Sequence, residues 1–161
     1  MLRISLLWIG KTKHEWLKTG IEHYVKRLKR YFSIKIIELK EPKVKYKQKH
    51  HELLKKEQEC QIIKNILRKN PAQYKIILDE RGKEFNSISF SNFLTQLEQR
   101  GIRDIVFIIG GAYGFADEIL NLADLKLSLS RFTFTHDMSR LILVEQLYRA
   151  ANIKANTPYH H

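Results

Sequence analysis

Apolar positions along this chain alternate between short unbroken runs and stretches at helical spacing. Residues 3–9 form such a run, rich in β-branched and aromatic side chains and closed by Gly10, which predicts a buried strand. From Leu17 the apolar positions Leu17, Ile21, Tyr24, Val25, Leu28, Tyr31 and Phe32 recur every three or four residues. Lys18, Glu22, Lys26, Lys29 and Arg30 take the opposite side, so an amphipathic helix follows. A second strand is predicted at 34–39 and a helix at 51–69, stopped by Asn70 and Pro71. Residues 75–79 read as a third strand closed by a turn at Glu80, Arg81 and Gly82, and 89–100 as a helix ending at Gly101. Residues 105–109 are apolar throughout, the pattern of a central strand covered on both faces. A glycine-rich turn (Gly110, Gly111, Gly114), a short helix at 117–121, a strand at 126–129, a segment 130–135 and a last helix from about 139 to 153 complete the order. Strands alternating with helices predict an α/β fold with a mostly parallel sheet flanked by helices.

The last helix is apolar nearly all round. Leu141, Ile142, Leu143, Val144, Leu147, Tyr148, Ala150 and Ala151 leave little polar face, so part of it is expected to meet another subunit. Glu145 and Arg149 stand four apart and are expected to pair. Asp137 is expected to cap this helix. In open α/β sheets ligands bind beyond the carboxyl ends of the strands, where Leu78, Gly110 and Leu129 all fall. A Cβ at Gly110 is expected to project toward that ligand. The glycines alone are equally compatible with a plain strand-to-helix turn. They match neither the dinucleotide fingerprint nor the phosphate loop, since GGxxG follows the fourth strand and no Gly-Lys-Ser/Thr ends it.

Composition narrows the class. The 161 residues are 43% hydrophobic with 7 Gly and 3 Pro, which fits one globular domain spanning 1–161 and excludes a disordered or collagenous chain. The net charge of +12 points to a polyanionic partner. Lys40, Lys43, Lys45, Lys47 and Lys49 crowd one segment with little apolar content, expected as a mobile basic loop and a phosphate contact. No run is long enough to span a membrane, no signal peptide is read, and the lone Cys60 excludes an internal disulfide, so the cytoplasm is the expected compartment. Histidine spacing fits no metal motif, and no nucleophile elbow is present.

These residues, taken in order, resemble a known family along essentially the whole chain. The matching pieces are Trp8-Ile9-Gly10, Ile77-Leu78-Asp79 followed by Gly82-Lys83, and Phe107-Ile108-Ile109-Gly110-Gly111 with Gly114. They continue through Leu127-Ser128-Leu129-Ser130 to Phe134, His136 with Arg140, Glu145-Gln146-Leu147-Tyr148-Arg149-Ala150, and Pro158-Tyr159-His160. Together they are similar to the short ribosomal large-subunit pseudouridine N3-methyltransferases of the SPOUT class. Thr135 departs from the pattern, where Pro is expected before His136.

The resemblance implies an α/β fold tied in a C-terminal trefoil knot and a homodimer with the knotted helix in the interface. It implies S-adenosylmethionine as methyl donor, held by Leu78, Gly110, Leu129, Ser130, Arg131, Phe132, Thr133 and Phe134, with no metal. The implied substrate is a pseudouridine in large-subunit rRNA presented by an assembled ribosome. Direct displacement from a sulfonium needs orientation above all, together with a base or cations for the imide proton. His136 and His160 are the titratable candidates, Arg140 and Arg149 the electrostatic ones, and Tyr159 a stacking platform; the base is not identified by the sequence. His160 and His161 are equally compatible with the stub of a tag. Two rival functions stand beside this one: a non-catalytic basic RNA-binding protein, and a dinucleotide-binding oxidoreductase.

Overall fold

The computed structural model of the protein describes residues 1–45 and 50–160, with His160 as backbone only. Lys47 and Lys49 of the basic segment, the His160 side chain and His161 lie outside the described residues. The order of elements is β1 (Arg3–Ile9), α1 (Glu15–Leu28), β2 (Ser33–Leu39), α2 (His51–Leu67), β3 (Tyr74–Glu84), α3 (Ser87–Gln99), β4 (Asp104–Ile109), α4 (Asp117–Leu120), β5 (Leu125–Ser128), α5 (His136–Lys154) and a 3-10 turn (Pro158–His160). The five strands form one sheet in the order β2-β1-β4-β3-β5, and every pairing is parallel. The α/β expectation stands, with β4 at the centre.

Alternation along the strands sorts the core into two layers. Ile4, Leu6 and Trp8 of β1 with Phe107 and Ile109 of β4 face α1, α3 and α5. Leu7 and Ile9 with Val106, Ile108 and Ile77 face α2 and α4. Helix α5 lies against both α1 and α3 on that first face, which covers much of its apolar circumference. Leu143, Val144, Leu147, Ala150 and Ala151 are buried within the chain, while Met138, Leu141, Ile142 and Tyr148 stay half-buried. A Cβ on Gly20 of α1 would lie 3.0 Å from Leu141, so the two helices meet where a side chain is missing.

Several boundaries differ from the sequence expectation for identifiable reasons. Helix α5 starts at His136, because Thr135 Oγ1 accepts from the Met138 N–H at 3.2 Å and caps it. Asp137 therefore sits inside the first turn and is not the cap. Thr135 gives that turn a hydrogen-bonded start in place of the fixed ring of proline. Asn86 caps α3 likewise, moving its start forward to Ser87. The turn expected at Glu80, Arg81 and Gly82 is an irregularity inside β3: Leu78 and Lys83 both register against Leu127. A Cβ on Gly82 would fall 2.6 Å from the Lys126 backbone, so only glycine allows β3 and β5 to close there. Among the described residues no helix is long and apolar enough to cross a membrane.

Candidate active site

The carboxyl ends of β4, β3 and β5 are neighbours in the sheet, and a cleft of about 960 Å³ opens beyond them. Leu78, Ile109, Leu127 and Leu129 make an apolar floor. Residues 110–115 form one wall, Ser130, Phe132, Thr133, Phe134 and Thr135 the other, and Lys56 of α2 reaches the edge. Of the residues the sequence nominated for a ligand, Leu78, Gly110, Leu129, Ser130, Phe132, Thr133 and Phe134 all line this cleft, and His136 joins them. Arg131 does not; its side chain is 90% exposed and pairs with Glu84 at 3.2 Å. The expectation for Gly110 needs correction, since a Cβ there would meet the Phe115 ring at 3.1 Å. Gly110 is thus small so that Phe115 can fold over the end of β4.

Charge around the cleft is organised from beneath. The Asp79 carboxylate accepts from the Arg81 N–H at 2.8 Å and from its guanidinium, which holds Asp79 below the usual carboxylate range. On the α2 side Lys55 pairs with Glu41 and stands 5.6 Å from the centre of the Tyr113 ring, fixing the glycine turn to the helix. The Glu59 side chain is buried against Gly111, and desolvation pushes its carboxyl up. Among the described residues no group of His, Cys, Asp and Glu could hold a metal ion.

The nominated catalytic residues fall in three places. His136 borders the cleft, and burial pulls its imidazole below the ordinary value, with Asp137 opposing. Arg140, one turn along α5, is fully buried. Its Nη2 donates to the Ile9 carbonyl at 2.8 Å, and its Nη1 donates to the Gly10 carbonyl and Thr12 Oγ1 at 3.0 Å each. The guanidinium also stands 4.9 Å from the Trp8 ring centre, so it closes the end of β1 and does not face the cleft. Tyr159 is elsewhere. Its ring meets Tyr148 edge-on at 4.6 Å, Arg149 lies over it at 5.0 Å, and its hydroxyl donates to Glu145 Oε1 at 3.3 Å. Burial, the Tyr24 hydroxyl at 3.4 Å and the Glu145 carboxylate push the phenol up, with Arg149 opposing. Glu145 and Arg149 pair as expected, at 2.7 Å. The helix rises roughly 13 Å between His136 and Glu145, so within one chain Tyr159 does not reach the cleft.

A family model described as "Predicted SPOUT methyltransferase" matches residues 2–160. The chain belongs to the SPOUT methyltransferase family. It is 40% identical over 160 residues to the Ribosomal RNA large subunit methyltransferase H of Citrifermentans bemidjiense, covering 99% of each chain. To the protein of the same name from Parabacteroides distasonis it is 40% identical over 162 residues, again covering 99% of each. The fold is similar to that of a probable methyltransferase from Bordetella pertussis, with a TM-score of 0.58 at 8% identity over 93% of this chain and 95% of that one. Within this SPOUT chain the cleft also recruits residues that the sequence reading did not nominate: Lys56, Asp79, Tyr113 and Phe115. Phe115 had a signal, being the aromatic residue next to Gly114. Lys56 had none, because a lysine on a solvated helix is the ordinary case.

Proposed function

We propose that this chain transfers a methyl group from S-adenosylmethionine to N3 of a pseudouridine in large-subunit ribosomal RNA, acting as a homodimer on the assembled ribosome in the cytoplasm. With it goes a single SPOUT-type unit over residues 1–161 whose C-terminal segment is tied in a trefoil knot. The observation that carries the reading is the cleft at the joined ends of β3, β4 and β5, bordered by a titratable histidine, in a SPOUT chain whose 40% identical relatives are named for ribosomal RNA methylation. Its volume falls in the range of sites that bury a small molecule, and its apolar floor suits an adenosine group. S-adenosylmethionine supplies a methyl group on a positively charged sulfur, so displacement needs no metal and no covalent protein intermediate. Leu78, Gly110, Leu129, Ser130, Phe132, Thr133 and Phe134 are the proposed binding residues, and His136, with Tyr159 and His160 of a second copy, the proposed catalytic set; Arg131 and Arg140, which do not line the cleft, belong to neither. Phe132, 80% exposed at the mouth, and the distance of Tyr159 from its own cleft both favour a site completed by a second copy. The +12 charge and the exposed Lys40, Lys43 and Lys45 suit a phosphate-rich substrate.

The test is incubation with labelled S-adenosylmethionine and intact ribosomes, free large subunits or naked rRNA, followed by mapping of the labelled nucleotide. Label at one pseudouridine of large-subunit RNA, strongest with ribosomes, is the expected result; label on another base or none at all removes the reading. Gly110→Val should keep a cooperative fold yet weaken S-adenosylmethionine binding by about tenfold or more, because displacing Phe115 is an overpacking change of roughly 1–3 kcal/mol at the cleft wall. Calorimetric titration with S-adenosylmethionine checks it, and unchanged affinity takes Gly110 out of the site.

A further inference from the structure

Asp137 is 5% exposed, and its Oδ1 is a buried polar atom without a hydrogen-bond partner. Such an atom costs free energy unless something completes it. Its other oxygen, Oδ2, accepts from the Lys13 backbone N–H at 3.0 Å, which pins the carboxylate in place. Two nitrogen groups face Oδ1: the imidazole Nε2 of His136 at 3.4 Å and the guanidinium Nη1 of Arg140 at 3.6 Å. Arg140 Nη1 is already held by the Gly10 carbonyl and Thr12. The His136 ring is the partner left to turn, and it borders the cleft with 27% of its side chain exposed.

We propose that Asp137 is a positioning residue that fixes His136 as its Nε2–H tautomer, leaving Nδ1 as the proton acceptor for the substrate imide. The proposal rests on the function given above. Nε2–H donates to Oδ1 once the ring settles by a few tenths of an ångström, a tightening usual when a catalytic site fills. In the reaction the imide N–H bond breaks toward Nδ1, and the nitrogen's electron pair forms the new bond to the methyl carbon. The carbon–sulfur pair stays with the departing thioether. His136 leaves the step as an imidazolium, neutralised by the buried Asp137 carboxylate, and returns its proton to solvent. The charged groups around the ring are Asp137 and Arg140 from α5, Lys13 from the segment after β1, and Glu41 from the segment after β2. Asp137 and Glu41 favour the protonated ring, while Arg140, Lys13 and burial oppose it, and burial is largest. The ring is therefore neutral and ready to accept at pH 7, and activity falls as pH drops through a titration below the ordinary 6.5.

The test joins imidazole NMR on 15N-labelled protein with single-turnover methylation of ribosomes across pH. Expected in the natural protein is a neutral Nε2–H ring and an acid limb below pH 6.5. Asp137→Asn keeps an oxygen for the Lys13 N–H but turns an NH2 toward the ring. The tautomer should flip to Nδ1–H, the acid limb should move lower still, and the single-turnover rate should fall about a hundredfold. S-adenosylmethionine affinity should stay within about twofold. A natural protein holding the Nδ1–H ring, or an Asp137→Asn variant with an unchanged rate and acid limb, overturns the proposal. If the variant does not fold, the tautomer of the natural protein decides alone. Absence of methylation with the Nε2–H ring in place counts against the substrate and not against the dyad, so the two failures are distinguishable.

Discussion

Deleting residues 158–161 is expected to lower methyl transfer to ribosomes by at least about a hundredfold while leaving S-adenosylmethionine affinity nearly unchanged. The cleft residues Leu78, Gly110 and Leu129 lie at the carboxyl ends of the strands, whereas the deleted turn packs on the far stretch of α5. Tyr159 touches Tyr148, Arg149, Tyr24 and Glu145, none of which lines the cleft. A purely local effect of the deletion would therefore be a modest loss of packing around Tyr148. A large loss of turnover with binding intact requires the turn to act on another copy's cleft. Mixing the truncated chain with the Gly110→Val chain separates the two accounts. Mixed dimers place one intact cleft opposite one intact terminus, and at S-adenosylmethionine concentrations too low to fill the Gly110→Val cleft they should regain activity that neither variant shows alone. Full turnover by the truncated protein would remove Tyr159 and His160 from the site and leave His136 to carry it.

What the sequence made legible follows from the physics of burial. Runs such as Ile105 to Ile109 sit between two helical layers, so every position is apolar and the central strand is visible without alignment. The cleft was legible for a related reason: in a parallel sheet the strand ends gather at one edge, and the glycines mark where backbone must stay bare. The terminal helix was legible only in part. Its lack of a polar face suggests a partner, yet α1 and α3 already cover much of it inside one chain, a contact that no local pattern encodes. Asp137 read as a cap because Thr135, two residues earlier, offers the same chemistry and only the backbone decides between them. Arg140 was hardest to place. An arginine beside a candidate histidine reads as chemistry, and only the folded chain brings the carbonyls of Ile9 and Gly10 to it from more than a hundred residues away.

That burial gives Arg140 a sharp expectation of its own. Arg140→Met should lower stability by ~3–5 kcal/mol, because it strips the Ile9 and Gly10 carbonyls of their donor and leaves the buried Asp137 without its neighbouring cation. For a chain of this length the unfolding midpoint should fall by about 6–20 °C. Arg140→Lys should recover little, since a single ammonium cannot reach two carbonyls and Thr12 from one planar fork, nor lie flat over Trp8. An electrostatic role at the substrate makes the opposite forecast. There the lysine variant would keep its midpoint and lose rate, and the methionine variant would be the more stable of the two, having shed a desolvated charge. Thermal unfolding of both variants beside their single-turnover rates decides the matter. Unchanged midpoints would return Arg140 to the reacting groups; lowered midpoints in both would make it the tie that holds the end of β1 against the start of α5, and through that end the ring of His136.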